Sequence, residues 1–278
     1  MFEELGGLIE LFRSMTERVS ALSSEKYSPI GQGSFSSVLA ADGGSVLIRR
    51  GGVSGAVIST AVVFDPPGSR DPVLRFTHYP REGVVDFRVV SSSASKLREL
   101  LILEEALNHE VELRLIDGPV PHGEAFMSIV IGEDGSLRKR YVEAVLRALR
   151  SDISLVGVVK HPYSTILDGK HPDVALLRNL PQGFFYDPHG DGLEPRTFRG
   201  IPYYTVFARI GPGNVIRLDM NEAAYKLRDR ILGYLKEESA LGLPKLILQA
   251  DFLAKKVSEA AEFVKMNLEG EVEVEVVE

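Results

Sequence analysis

Cysteine is absent from the 278 residues, which excludes disulfides and thiolate zinc sites and leaves carboxylates and six histidines as candidate metal ligands. No apolar run reaches the roughly 18 residues of a spanning helix. The first residues, Met1-Phe-Glu-Glu-Leu-Gly-Gly, carry acids where a secretory signal needs a basic start. The expectation is a cytoplasmic protein with no membrane partner. A net positive charge is lacking too: the net charge of −7 argues against a basic coat for nucleic acid. It leaves room for a local basic groove, and an acidic metal site would itself add to the total. Repeats and a clear linker are also missing, so one domain over 1–278 is expected, long enough to bury a full core. At 44% hydrophobic and 26% charged residues, the composition is that of ordinary soluble globular proteins.

What is present is a repeated pattern of apolar strand and aspartate. Ser36-Ser-Val-Leu-Ala-Ala-Asp-Gly-Gly-Ser45 runs small and apolar residues into Asp42 and is expected to stop at the glycine pair. Val111-Glu-Leu-Arg-Leu-Ile-Asp-Gly-Pro-Val120 alternates and again ends in Asp-Gly, at Asp117. Taken alone, each Asp-Gly is a turn signal. Side by side, two such strands bring two carboxylates close enough to share a divalent metal, since Mg²⁺ and Mn²⁺ take oxygen ligands.

Around this pair the chain reads as a mixed α/β protein. Residues 7–24 repeat apolar positions at Leu8, Leu11, Phe12, Met15, Val19 and Leu22, which predicts an N-terminal helix. Ile30-Gly-Gln-Gly-Ser-Phe-Ser-Ser-Val38 resembles a kinase glycine-rich loop, but no His-Arg-Asp or Asp-Phe-Gly follows, so Gly31 and Gly33 are read as the loop that launches the Asp42 strand. Strands are expected over 45–50, 55–64, 73–77 and 84–90, then a helix from Ser93 with Leu97, Leu100, Leu101, Glu104 and Leu107 on one stripe. Glu104 inside that stripe either joins the aspartates or snorkels at the margin to water; Glu99 and Glu105 flank it on other faces.

A strand at 128–131 and a helix over 137–150 follow; the helix carries Arg138, Lys139, Arg140, Arg147 and Arg150, a phosphate contact or a solvated face. Ile153-Ser-Leu-Val-Gly-Val-Val159 is a buried strand ending at Lys160, which either holds a phosphate beside acidic ligands or is a surface lysine. Residues 161–200 are rich in Pro, Gly, Asp and His and are expected to form a mobile insertion with a short helical piece at 174–179. A hairpin is expected from 203–210 and 214–219, then helices over 222–238 and 244–266. The alternating tail Glu271-Val-Glu-Val-Glu-Val-Val-Glu278 reads as an edge strand, a docking strand or a frayed end.

In order and spacing, the strand ending Ala41-Asp42-Gly43, then Leu115-Ile116-Asp117-Gly118-Pro119, Leu155-Val-Gly-Val-Val-Lys160 and Leu243-Pro-Lys-Leu-Ile-Leu-Gln-Ala-Asp251 resemble the NurA nucleases over roughly residues 30–260. The resemblance implies a ribonuclease-H-like mixed sheet flanked by helices, suited by the opening strand meander. It also implies a manganese-dependent 5′-to-3′ nuclease on single- and double-stranded DNA ends, and a homodimer docked on a hexameric HerA-type ATPase translocase. In that scheme Asp42 and Asp117 are direct ligands of two Mn²⁺ (or Mg²⁺) ions, Glu104 and Asp251 complete the shell, and Lys160 offsets phosphate charge. The family's helix-borne glutamate also aligns with Glu99, and Asp251 has an alternative partner in Lys255 one turn on. Gly44 stands where the family commonly has serine, which keeps open a rival reading as a non-catalytic docking subunit.

Overall fold

The computed structural model describes residues 19–79, 87–122, 135–268 and 271–277. A short 3-10 turn at Ser24–Lys26 leads to β1 (Ser28–Pro29), β2 (Val38–Arg50), β3 (Val53–Asp65), β4 (Val73–Tyr79) and α1 (Phe87–Leu107). Next come β5 (Leu113–Asp117), α2 (Gly135–Leu149), β6 (Ser154–Val159), α3 (Asp173–Leu176), β7 (Phe184–Tyr186), β8 (Arg196–Phe198), β9 (Ile201–Arg209) and β10 (Ile216–Met220). The last third holds α4 (Glu222–Lys226), α5 (Arg228–Glu237), the small hairpin β11 (Ser239–Ala240) and β12 (Leu243–Pro244), α6 (Lys245–Ala254), α7 (Val257–Met266) and β13 (Glu273–Val277).

The main sheet runs β1-β7-β9-β10-β6-β5-β2-β3-β4. Strands β2, β3 and β4 form an antiparallel meander, β5 and β6 add parallel to β2, and β10 and β9 return antiparallel. This is a ribonuclease-H-like mixed sheet with helices on both faces. Each face has its own core. Leu39 and Ala41 of β2 pack with Leu97, Leu100 and Val145 of α1 and α2. Val38 and Ala40 pack on the other face with Ile231, Leu235, Ile247 and Ala250 of α5 and α6. Successive side chains of a strand point to opposite faces, so this split fixes where every later residue of β2 points.

Several expectations change. The glycine pair does not stop the strand: β2 continues through Gly43 and Gly44 to Arg50. What changes at Asp42 is the neighbour. Strand β5 pairs with β2 as far as Ala41, whereas β13 pairs with it from Ser45 to Arg49, so Asp42 to Gly44 lie between two partners. The tail is therefore an edge strand of its own sheet. Residues 87–90 are helical, because Val90, Ala94 and Leu97 share one buried face, so that part of the expected strand over 84–90 belongs to α1, and 84–86 lie outside the described residues. The two long C-terminal helices are each divided, at Leu227 and at 255–256.

Residues 161–200 are built into the sheet through β7, and Leu177 and Leu180 are buried with Tyr27 and Phe207 in a third small core; Pro- and Gly-rich composition did not reveal this. Of the expected N-terminal helix, 7–18 lies outside the described residues, and 19–23 is not helical. The expected strand at 128–131 also lies outside the described residues. Gly33 packs against α5, where a Cβ would sit 1.9 Å from the Arg230 carbonyl oxygen. The glycine-rich loop thus serves helix packing. Among the described residues, no helix is long and apolar enough to cross a membrane.

Buried Asn221 fastens β6 in place. Its Oδ1 accepts from the Leu155 and Ala224 amides, and its Nδ2 donates to the carbonyls of Ala148, Ser151 and Ile153. A buried amide satisfied on both ends is rigid, and it ties α2, α4 and β6 together.

Candidate metal centre

Three strands deliver polar residues to the same place by the same period of two. Val38, Ala40, then Asp42 on β2; Leu113, Leu115, then Asp117 on β5; Val156, Val158, then Lys160 at the end of β6: in each row the apolar members belong to the core under α5 and α6. The next same-face residue is the polar one. Helix α6 lies over this face and adds Asp251. The carboxylates of Asp42, Asp117 and Asp251 each place an oxygen within 4.8 Å of the others.

Glycines permit this closeness. A Cβ on Gly44 would stand 2.9 Å from the Ala254 carbonyl oxygen and 2.8 Å from Val257 Cγ1, so the end of α6 and the start of α7 rest on bare backbone. On the opposite face a Cβ on Gly43 would meet Arg98 Cγ at 2.9 Å. Beyond Asp117, Gly118 takes a φ of 103°, open to glycine at little cost. Its loop crosses β6 where Gly157 has no side chain: a Cβ there would lie 2.7 Å from Gly118 O.

The electrostatics are those of crowded carboxylates. Asp42 is pushed up to about 8, first by burial, then by the Asp117 charge; the Gly43 amide works the other way, a hydrogen bond to Asp117 raises it further, and Lys160 lowers it. The Gly43 amide donates to Asp42 Oδ1 at 2.6 Å and holds that carboxyl in one orientation. Lys160 Nζ reaches Asp117 Oδ2 at 2.5 Å, and Lys255 Nζ reaches Asp251 Oδ2 at 2.7 Å. Like charges this close are held together by protons or by a cation. The donor set is all oxygen, which suits a hard divalent ion such as Mg²⁺ or Mn²⁺.

Of the sequence candidates, Asp42, Asp117, Asp251 and Lys160 come together. Glu104 is not brought to them. Its carboxylate receives both Nε and Nη2 of Arg140, at 3.3 and 2.8 Å, and so joins α1 to α2. Arg147 also donates to the Leu107 carbonyl, so two cations of the basic helix serve helix packing. Glu99 lies closer to β5, with its Oε2 3.8 Å from the Cβ position of Gly118, the residue after Asp117. Burial would raise its pKa, but His122 at 3.1 Å and then Arg98 prevail and hold it below the usual range. Its helical neighbours gave no sign of this, because the His122 partner comes from a loop.

No protein-family model and no curated protein matches the chain. Solved structures do. The NurA nuclease from Sulfolobus solfataricus superposes over 96% of both chains with a TM-score of 0.63 and 16% identity. A structure of NurA with manganese covers 97% of this chain and 99% of its own, with a TM-score of 0.64 and 12% identity. A structure of NurA bound to dAMP and manganese covers 89% and 90%, with a TM-score of 0.60 and 10% identity. With the mixed sheet and the carboxylates of β2 and β5 already in place, these superpositions show that the fold of this chain is that of the NurA nucleases.

Proposed function

We propose that the protein is a metal-dependent DNA nuclease, and the convergence of Asp42, Asp117 and Asp251 on one face of a NurA-like sheet is the observation that carries the reading. The three carboxylates would hold divalent metal, manganese by analogy with the two NurA structures that contain it, and a pair of ions is part of this reading. Bound there, such ions activate water at neutral pH and stabilise charge on the attacking and leaving oxygens of a phosphodiester.

The chain's own residues prepare that chemistry. The Gly43 amide fixes Asp42, and α6 carries Asp251 over the strand ends. Lys160, paired with Asp117, presents an ammonium beside the cluster, where it offsets charge on the scissile phosphate. The overall negative charge then means that DNA contact is local and salt-sensitive. The finer reading is a 5′-to-3′ exonuclease and single-strand endonuclease working at DNA ends on a HerA-type hexameric translocase. A homodimer is part of it; the exposed Phe252, Phe263 and Met266 on α6 and α7 supply apolar surface for a second copy.

The test is cleavage of end-labelled single- and double-stranded oligonucleotides with manganese or with chelator. Asp42→Ala and Asp117→Ala should abolish cleavage while the variants stay folded. Metal-independent cutting, or full cutting by Asp42→Ala, would sink the site assignment. Gly44, which differs from the family's serine, has a packing reason of its own under α6, and the same cleavage assay decides against the non-catalytic docking reading if the wild type cuts.

A further inference from the structure

Directly after Lys160 the chain makes a tight turn in which the Tyr163 amide donates to the His161 carbonyl at 2.9 Å. The two rings lie near parallel, 6.3 Å apart with an interplanar angle of 21°, and Tyr163 is 74% exposed. Both flanks of the turn are anchored. Lys160 is tied to Asp117 on one side. On the other, the Ser164 hydroxyl donates to buried Asp173 at 2.5 Å and accepts from Arg217 at 2.8 Å. An aromatic pair on a fixed backbone, left in solvent, gains nothing for the core. It is preorganised for a flat ligand.

We propose that His161 and Tyr163 form a stacking platform for an unpaired nucleobase of a single DNA strand whose phosphate lies at the carboxylate cluster. The proposal rests on the nuclease reading above and names a contact that selects single-stranded substrate. Three residues from Lys160 to Tyr163 span at most about 10 Å, so the platform meets a base close to the phosphate held at the cluster. Beyond Tyr163 the chain continues into Ser164 and Thr165, part of the wall of a cavity of about 590 Å³ that Arg196 and Arg217 also line. Arg196 on that wall suits the onward path of a polyanion, whereas Arg217 is already paired with Asp219 and the wall also carries Glu194. Every base has a π-face, so such a contact is indifferent to sequence. It is available only to bases outside a duplex.

The experiment titrates a short single strand carrying 2-aminopurine into the full chain in chelator, following both affinity and quenching of the probe by stacking. Tyr163→Ala should weaken single-strand binding by roughly five- to a hundredfold and abolish quenching, from the usual range for one stacked base. Tyr163→Phe should restore both, and duplex binding should change less than about twofold. His161→Ala should fall between. Unchanged single-strand affinity and quenching in Tyr163→Ala would overturn the platform and assign the ring to a protein contact; so would a wild-type chain that binds no single strand. The outcomes separate from the parent reading. A wild type that quenches through Tyr163 but cuts nothing with manganese keeps the platform and removes the nuclease, whereas cutting with no role for Tyr163 does the reverse.

Discussion

Asp42 and Asp117 sit on adjacent parallel strands, one step beyond the paired Ala41 and Ile116, and there the Asp42 carboxyl is pushed up to about 8. Burial is the larger cause and the Asp117 charge the next. An unfolded aspartate releases its proton near about 3.9. The folded pKa is thus the higher one, so the stability contributed by this proton is complete below about pH 4 and is lost as pH rises through about 8. In chelator, the melting temperature should fall between about pH 4 and about pH 8, and Asp42→Asn should flatten that fall. Manganese bound at the cluster would displace the same proton. Its affinity should therefore climb with pH up to about 8, with proton release visible by calorimetry in buffers of different ionisation enthalpy. Affinity independent of pH over this window would count against a proton held on Asp42.

Glu99 and Glu104 lie on the same helix and should behave differently. Glu104 makes a partly exposed ion pair with Arg140, so Glu104→Gln should cost less than about 1 kcal/mol and leave cleavage intact. Glu99 is nearly buried, holds His122 and Arg98, and lies beside Gly118. Outer groups that orient a metal site are commonly worth ten- to a hundredfold, and Glu99→Gln should lower manganese-supported cleavage by about that factor. Thermal melts and single-turnover rates of both variants decide it. Equal rates in the two would remove Glu99 from the site.

The sequence brought Asp42, Asp117 and Lys160 forward because each follows an apolar run, but the face was not legible at Asp42 or Lys160, since Val38 to Ala41 and Leu155 to Val159 carry no polar residue. Nor were Asp42's surroundings legible. Gly43-Gly44 has the composition of a turn, yet its role is to let α1 approach one face of β2 and α6 with α7 the other, which depends on helices distant in the chain. Glu104 was misplaced for a related reason. A carboxylate within an apolar stripe requires a partner, but the stripe does not name it, and Arg140 on the neighbouring helix meets the requirement. The 161–200 span hides its core in a few residues, Leu177, Leu180 and Tyr186, among turn-forming ones.

The packing at Gly44 gives a prediction about the site from a residue with no chemistry. A methyl group there would press on the Ala254 carbonyl, which is backbone, and on the branched Val257 side chain, so α6 must shift. Gly44→Ala should cost about 1–3 kcal/mol, as overpacking does, and weaken manganese binding by moving Asp251. Gly31→Ala is the control: nothing lies within 4 Å of its Cβ position, and stability should stay within about 0.5 kcal/mol. Denaturant melts and metal titration of the two variants provide the comparison. Unaltered metal affinity in a destabilised Gly44→Ala would show that the cluster does not depend on the seat of α6.

Asp251 is the member of the cluster whose role divides most sharply between metal and salt bridge. It carries an oxygen within the cluster and also pairs with Lys255 one turn later at 2.7 Å. Lys255 is the more exposed partner, with 72% of its side chain accessible against 30% for Asp251. A pair of this spacing in solvent contributes about 0.3–0.5 kcal/mol, too little to be the reason for a carboxylate on the face that otherwise packs Ile247, Ala250 and Ala254. If Asp251 serves the salt bridge, Asp251→Asn and Lys255→Ala should have the same small effect on stability and none on metal. If it serves the cluster, the two diverge: Asp251→Asn should weaken manganese binding about tenfold or more, whereas Lys255→Ala, which releases the carboxylate, should leave binding equal or tighter. Titration of manganese into both variants, with melting temperatures measured alongside, distinguishes the cases, and wild-type affinity in Asp251→Asn would reduce the centre to Asp42 and Asp117.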